Sequence, residues 1–152
     1  MSAPTPPAES QTDLAQREKY EFIAEFPGTP FPSWLLDEPP PVGGGRGPNP
    51  VRTLAVAVGH CMSSTFFSTL ERARVAVGPM RTRVAAVVGR NAKGRQRVLR
   101  LDVVIEAAPL EAADRDRFDR SAAIFEDFCT VSGAVREGIR ITSTVRPGPG
   151  PR

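Results

Sequence analysis

Cys61 and Cys129 are the residues of this chain best suited by type to do chemistry. Cys61 lies in an apolar segment, residues 57–64, and Cys129 follows a second segment rich in phenylalanine, residues 125–128. Two cysteines can pack inertly in a core, bind a soft metal together with other ligands, or cycle between thiol and disulfide while reducing an oxidant. Their spacing alone leaves these alternatives open. A structural zinc site is not expected, because the chain has 1 His and no CxxC or HxxxH spacing.

The composition is that of one ordinary domain with a core, since 40% of its 152 residues are hydrophobic and 24% are charged. The net charge is only +3, and the basic residues are spread along the chain, so we expect no nucleic-acid partner. No apolar run approaches the roughly 18 residues of a membrane span, and residues 1–16 lack the apolar stretch of a secretory signal. We therefore expect no membrane association and a reducing cytoplasm, in which cysteines stay free.

Proline is concentrated in the first third of the chain, where residues 1–50 hold 11 of the 16 prolines. Because proline lacks an amide donor and clashes with the preceding turn, this part cannot form long helices. We expect a mobile tail over residues 1–16, an ordered domain over residues 17–146 and a second mobile tail over residues 147–152.

Elements of the first half follow from periodicity and turn signals. Residues 20–26 alternate in the manner of a half-buried strand, Trp34–Leu36 fits a short partner strand, and residues 43–47 fit a flexible glycine loop. Asn49 and Pro50 are typical of a helix start. Asn49 supplies an N-cap oxygen, and Pro50 lacks the backbone N–H that would have no partner at the first helical position. The helix over residues 51–73 is apolar nearly all round at its start, which indicates burial by a second subunit.

In the second half of the chain, the sequence pattern predicts two strands, two helices and a last strand. Residues 84–88 and 99–106 alternate as strands, and Asn91–Gly94 fits the hairpin turn between them. Residues 114–128 fit an amphipathic helix, a short helical turn ends at Gly138, and residues 139–145 alternate as a final strand. Strands and helices come in runs, so we expect an α+β fold with antiparallel pairing.

These residues together resemble a known family. A Gly47-Pro48-Asn49-Pro50 start, an apolar helix with a cysteine about three turns in, and the later segment 125–132 resemble the OsmC/Ohr family of thiol peroxidases, over about residues 20–145. The resemblance implies two antiparallel sheets around two central helices in an intertwined homodimer. It also implies that Cys61 is the peroxidatic residue, that Cys129 is the resolving residue, and that the substrate is an organic hydroperoxide.

The implied chemistry needs no bound cofactor. A Cys61 thiolate attacks the O–O bond and becomes a sulfenic acid, and Cys129 condenses with it to a disulfide that an external dithiol reduces. The apolar side chains that would receive the peroxide are Met62, Phe66, Phe67 and Phe128. The alternative is a non-catalytic member of the family that binds an apolar ligand at the dimer interface, with both cysteines as passive lining.

The sequence departs from the peroxidatic pattern directly after Asn49-Pro50. Peroxidatic members carry there a glutamate that orients a catalytic arginine, whereas this chain has Val51 and Arg52. The dipole of the helix that carries Cys61 cannot substitute, because its effect fades within one turn. Candidate cations are Arg46, Arg52 and His60, although each also fits a solvated or interface side chain.

Overall fold

The computed structural model describes residues 9–147, which form two compact units. One unit comprises the chain up to Val56 together with Val84–Asp102, and the other comprises Ala57–Arg83 together with the chain from Val103 onward. The elements in chain order are β1 (Asp13–Glu18), β2 (Glu21–Glu25), β3 (Trp34–Leu36), α1 (Pro50–Arg72), β4 (Arg81–Arg90), β5 (Gln96–Glu106), α2 (Arg115–Ile124) and α3 (Thr130–Glu137). Short 3-10 turns, Ala112–Asp114 and Phe125–Phe128, flank α2. The expected α+β class is confirmed.

An antiparallel sheet of order β1-β2-β3 opens the chain. The predicted strand and its short partner are confirmed as β2 and β3, with Ile23 opposite Leu35. Strand β1 begins at Asp13, so residues 13–16, which the sequence assigns to a mobile tail, are part of a strand. Pairing with β2 supplies the backbone hydrogen bonds of β1, although its side chains are all exposed. Residues 1–8 and 148–152 lie outside the described part of the chain.

The glycine-rich loop is ordered around Asp37, contrary to the expected flexible loop. The buried Asp37 carboxylate accepts hydrogen bonds from the backbone amides of Glu38, Gly44 and Arg46 at 2.8, 3.0 and 3.1 Å. A Cβ atom at Gly47 would lie 2.1 Å from the Leu35 carbonyl oxygen, so only glycine allows this close approach. The hydrogen bond from the Arg46 backbone amide is the main reason why the pKa of Asp37 is lowered. Burial of the carboxyl acts in the opposite direction.

Helix α1 starts where the capping signal predicts. The Asn49 Oδ1 atom accepts the Arg52 amide at 3.0 Å, and Pro50 is the first helical residue. One face of the helix is buried, and its side chains recur every four residues: Val58, Met62, Phe66 and Leu70. Two other apolar side chains of α1, Val56 and Phe67, remain 54% and 47% exposed in the single chain.

The predicted hairpin is confirmed as β4 and β5, and both strands are longer than expected. Asn91 Oδ1 accepts the amides of Lys93 and Arg95, and Gly94 adopts the positive φ of +72° that the turn requires.

The second half also differs from the sequence pattern in two places. The helix expected over residues 114–128 is α2 followed by a 3-10 turn. The final strand expected over residues 139–145 is wrong for the single chain, where this segment has no regular structure. Ile141 and Val145 are 87% and 96% exposed, because no strand within residues 9–147 pairs with the segment. Alternation alone cannot form a strand without a neighbouring edge.

Candidate functional site

The two cysteine sulfurs meet in the second unit. The Sγ atoms of Cys61 and Cys129 lie 3.1 Å apart, and both residues are free thiols. Cys61 is half-buried, whereas Cys129 is 3% exposed. The geometry thus brings together the two residues that sequence reasoning selected for chemistry, and it gives only one of them access to solvent.

Aromatic packing positions the pair. Cys61 lies on α1 next to the buried face, and Phe66 of that face packs against Phe118 and Phe125 with ring centroids 5.5 and 5.0 Å away. Phe125 begins the 3-10 turn that leads to Cys129. The apolar contacts of Phe66 therefore hold the segment that carries one sulfur against the helix that carries the other.

Cys129 is the N-cap residue of α3, with extended backbone at φ −82° and ψ 106°. Its side chain makes no capping hydrogen bond, so the first amides of α3 remain available to other acceptors. One of them, the Val131 amide, donates to Cys61 Sγ at 3.4 Å. The N-terminus of α3 thus faces the sulfur pair.

Polar contacts tune the buried sulfur. Burial raises the pKa of the Cys129 thiol, but hydrogen bonding by the Ser132 hydroxyl, the Cys61 thiol, the Ser132 backbone amide and the Thr65 side chain outweighs burial, so the pKa is lowered. Ser132 is 4% exposed, and its hydroxyl has no hydrogen bond of ordinary geometry to any residue between 9 and 147.

The candidate cations lie in different surroundings. Arg46 Nη1 is 3.0 Å from Glu21 Oε2 in the first unit, and Arg17 Nε is 3.3 Å from the other oxygen of the same carboxylate. Arg52 and His60 have exposed side chains. Neither of the two hydrogen bonds that the described chain gives to Cys61 Sγ comes from a cationic side chain.

Glu21 is a residue that sequence reasoning missed. It is 5% exposed and pairs with the candidate Arg46, yet the alternation in β2 favoured Phe22 and Ala24 as the inward positions. The sequence did hold one indication of a buried carboxylate, because Glu21 is an acidic residue at the first position of a strand, directly after a turn. Such a position allows a carboxylate to be buried if basic side chains reach it.

The four apolar candidates separate into two groups. Met62 and Phe66 are buried in the core, whereas Phe67 and Phe128 are 47% and 62% exposed. Phe128 also lines a cleft of about 480 Å³ in the second unit, together with Thr69, Arg72, Ala73, Arg117, Arg120, Ser121 and Ile124. An apolar ligand could contact only the exposed members without disrupting the core.

Two kinds of feature are absent from residues 9–147. They contain no cluster of three or more His, Cys, Asp or Glu side chains arranged to hold a metal ion. None of the described helices has both the length and the apolar character needed to cross a membrane.

The protein thus has an α+β fold that brings two thiols together, one on a long apolar helix and one at the start of a later helix. The sequence profile described as OsmC-like protein matches residues 43–144, and the chain belongs to this family. No curated protein matches the sequence.

Solved structures with the same fold support this placement. An OsmC-like protein of unknown function from Vibrio cholerae superposes with a TM-score of 0.73 at 14% identity, over 84% of this chain and 94% of that one. The organic hydroperoxide resistance protein OsmC from Legionella pneumophila gives 0.62 at 15% identity, over 86% and 92%. An organic hydroperoxide resistance protein from Elizabethkingia anophelis gives 0.61 at 14% identity, over 86% and 89%. At these identities the likeness concerns the fold.

Proposed function

We propose that this protein is a thiol-dependent peroxidase that reduces organic hydroperoxides and so protects the cell against oxidative stress. The observation that carries the proposal is the 3.1 Å separation of the two sulfurs, which a passive pair would not need. A disulfide requires a sulfur–sulfur distance of about 2.05 Å, so a shift of about 1 Å joins them.

Exposure supports the division of roles. Cys61 is the half-buried sulfur that a peroxide can reach, so it is the peroxidatic residue. Cys129 is buried, and its lowered pKa favours the thiolate that must attack a sulfenic acid, so it is the resolving residue.

The reaction balances without a bound cofactor. The Cys61 thiolate takes the terminal OH of the hydroperoxide, the O–O bond breaks, and the alkoxide leaves and gains a proton to become an alcohol. The Cys129 thiolate then attacks the Cys61 sulfenic acid, hydroxide leaves and is protonated to water, and a disulfide remains. An external dithiol reduces this disulfide through a mixed-disulfide intermediate. Both cysteines are thus returned to thiols.

A homodimer in the cytoplasm is part of the proposal. Two apolar side chains of α1, Val56 and Phe67, are exposed in the single chain, and the alternating segment 139–145 finds no strand to pair with among residues 9–147. A second copy of the chain would cover these surfaces. Size-exclusion chromatography with light scattering measures this directly, and a monomer at micromolar concentration would contradict it.

Thiol titration with cumene hydroperoxide tests the enzyme function. One equivalent should remove two thiols per chain from the wild type, and a dithiol should restore both. Cys129→Ser should lose its single thiol and proceed to sulfinic acid with excess peroxide, whereas Cys61→Ser is the matched control and should keep its thiol. Retention of both wild-type thiols over minutes would contradict the proposal.

A second candidate function is binding of an apolar ligand without catalysis. The absence of an acid at Val51 and Arg52, and the exposed Phe128 beside the cleft, favour it. In that case an apolar fluorescent probe binds equally well before and after both cysteines are changed to serine, and peroxide consumes no thiol.

A further inference from the structure

We propose that the first turn of α3 stabilises the negative charge on the sulfur pair, with the Val131 amide acting on Cys61 and the Ser132 hydroxyl acting on Cys129. The inference rests on the proposed function, because it assigns the groups that prepare each sulfur for its step. It answers how this chain activates its thiols when the acid expected after Asn49-Pro50 is absent.

The Val131 amide is the backbone donor to Cys61. It belongs to the first turn of α3, where amides have no acceptor within the helix, and it points to Cys61 Sγ at 3.4 Å. The positive end of the helix dipole is strongest in this same turn. A thiolate at Cys61 is therefore stabilised by a neighbouring helix, although the start of its own helix is too distant to contribute.

Ser132 is the donor that we assign to the buried sulfur, because it lies in the first turn of α3, three residues after Cys129. Its hydroxyl is enclosed and lacks a hydrogen bond of ordinary geometry, which is unfavourable for a polar group away from water. Of the groups that lower the pKa of Cys129, the Ser132 side chain has the largest effect. The hydroxyl gains a strong acceptor when Cys129 loses its proton, so the structure is prepared for the resolving thiolate.

Other charged groups do not provide this stabilisation. The titratable and charged side chains on the three elements around the pair are His60, Glu71 and Arg72 on α1 beyond residue 57, Glu126 and Asp127 on the 3-10 turn, and Arg136 and Glu137 on α3. All of them are exposed. Arg136, the basic residue of α3, is paired with Glu126, so its charge is already balanced.

The assignment separates the two chemical steps. The Val131 amide stabilises the Cys61 thiolate in the first step, in which this thiolate attacks the O–O bond and the negative charge passes to the leaving alkoxide. Ser132 acts as a positioning residue where the Cys129 thiolate attacks the sulfenic acid and hydroxide leaves. Loss of the hydroxyl therefore slows disulfide formation and leaves the peroxide-dependent step unchanged.

Ser132→Ala and Ser132→Thr form a matched pair, because the second variant keeps the hydroxyl. In the Cys61→Ser background, ultraviolet absorbance of the thiolate against pH should show a midpoint about one unit higher for Ser132→Ala, which corresponds to a tenfold change. In the full protein, stopped-flow kinetics should show a disulfide step about tenfold slower for Ser132→Ala, with Ser132→Thr restoring it. An unchanged midpoint in both variants would overturn the role of Ser132.

Proline substitutions test the amide. Val131→Pro removes the donor to Cys61, and Thr130→Pro is the control that places proline in the same turn but keeps the donor. Alkylation of Cys61 by iodoacetamide, in the Cys129→Ser background, should slow at least fivefold in Val131→Pro and change little in Thr130→Pro. Equal rates in two variants of unchanged circular dichroism would overturn the role of Val131. The thiolate titration and the alkylation assay use no peroxide, so both remain informative if the peroxidase function itself fails.

Discussion

Cys61 and Cys129 lie 68 positions apart in the chain, yet their sulfur atoms are separated by 3.1 Å. One sulfur is accessible and the other is buried, so the pair is asymmetric before any chemistry occurs. In the proposed function, the accessible sulfur of Cys61 is the one that meets the oxidant and the buried sulfur of Cys129 completes the reaction.

Oxidation should stabilise the fold. A bond between Cys61 and Cys129 closes a loop of 68 residues, and the chain-entropy model gives about 4 kcal/mol for a loop of this length. Urea unfolding of the oxidised protein should therefore have a higher midpoint than that of the reduced protein. Cys129→Ser should show no such dependence on oxidant, and coincident curves for the oxidised and reduced wild type would contradict the prediction.

Phe66→Ala should cost about 3–5 kcal/mol of unfolding free energy, because the ring is 3% exposed and packs against Phe118 and Phe125. The same change should slow disulfide formation, since the turn that precedes Cys129 loses its anchor. Phe67→Ala on the same helix tests the proposed second copy, because the ring is 47% exposed in the single chain. A loss well above that of an exposed side chain is expected if the second copy covers the ring, and a loss below about 1 kcal/mol would contradict that covering.

Arg46 and Glu21 should be energetically coupled. Arg46→Ala removes one partner from a carboxylate that is 5% exposed, and we expect a cost of about 1 kcal/mol because the guanidinium is half in solvent. Glu21→Gln in the same chain removes the buried charge, so the double variant should lose less stability than the two single variants combined. Strict additivity in a double-mutant cycle by urea unfolding would exclude the coupling.

Asp37 should contribute stability that depends on pH. Its pKa is lowered from 3.8, chiefly by the Arg46 amide, so its contribution is fully present above pH 3.8 and is lost as the pH falls through the lowered value. Asp37→Asn should therefore unfold more easily than the wild type at neutral pH, and the difference between their urea midpoints should shrink in acid. A difference that stays constant down to about pH 2 would contradict this assignment.

Local signals predicted much of the fold because they act over a few residues. Asn49 and Pro50 specify a helix start through one side-chain oxygen and one fixed dihedral angle, and Asn91–Gly94 specifies a turn in the same way. Two of the misjudged segments depend on distant partners. Residues 43–47 are ordered by the carboxylate of Asp37, and residues 139–145 alternate like a strand but find no edge within the described chain.

The sequence by itself determined most of the element types, the two cysteines as the reactive candidates, and the family to which they point. Only the tertiary structure decided that the sulfurs are neighbours, that one of them is shielded, and that the Val131 amide donates to Cys61 from the start of α3. Helix and turn signals are short-range, whereas the distance between atoms 68 residues apart depends on how Phe66 packs against Phe118 and Phe125. Such packing is a property of many side chains at once, and no single stretch of sequence contains it.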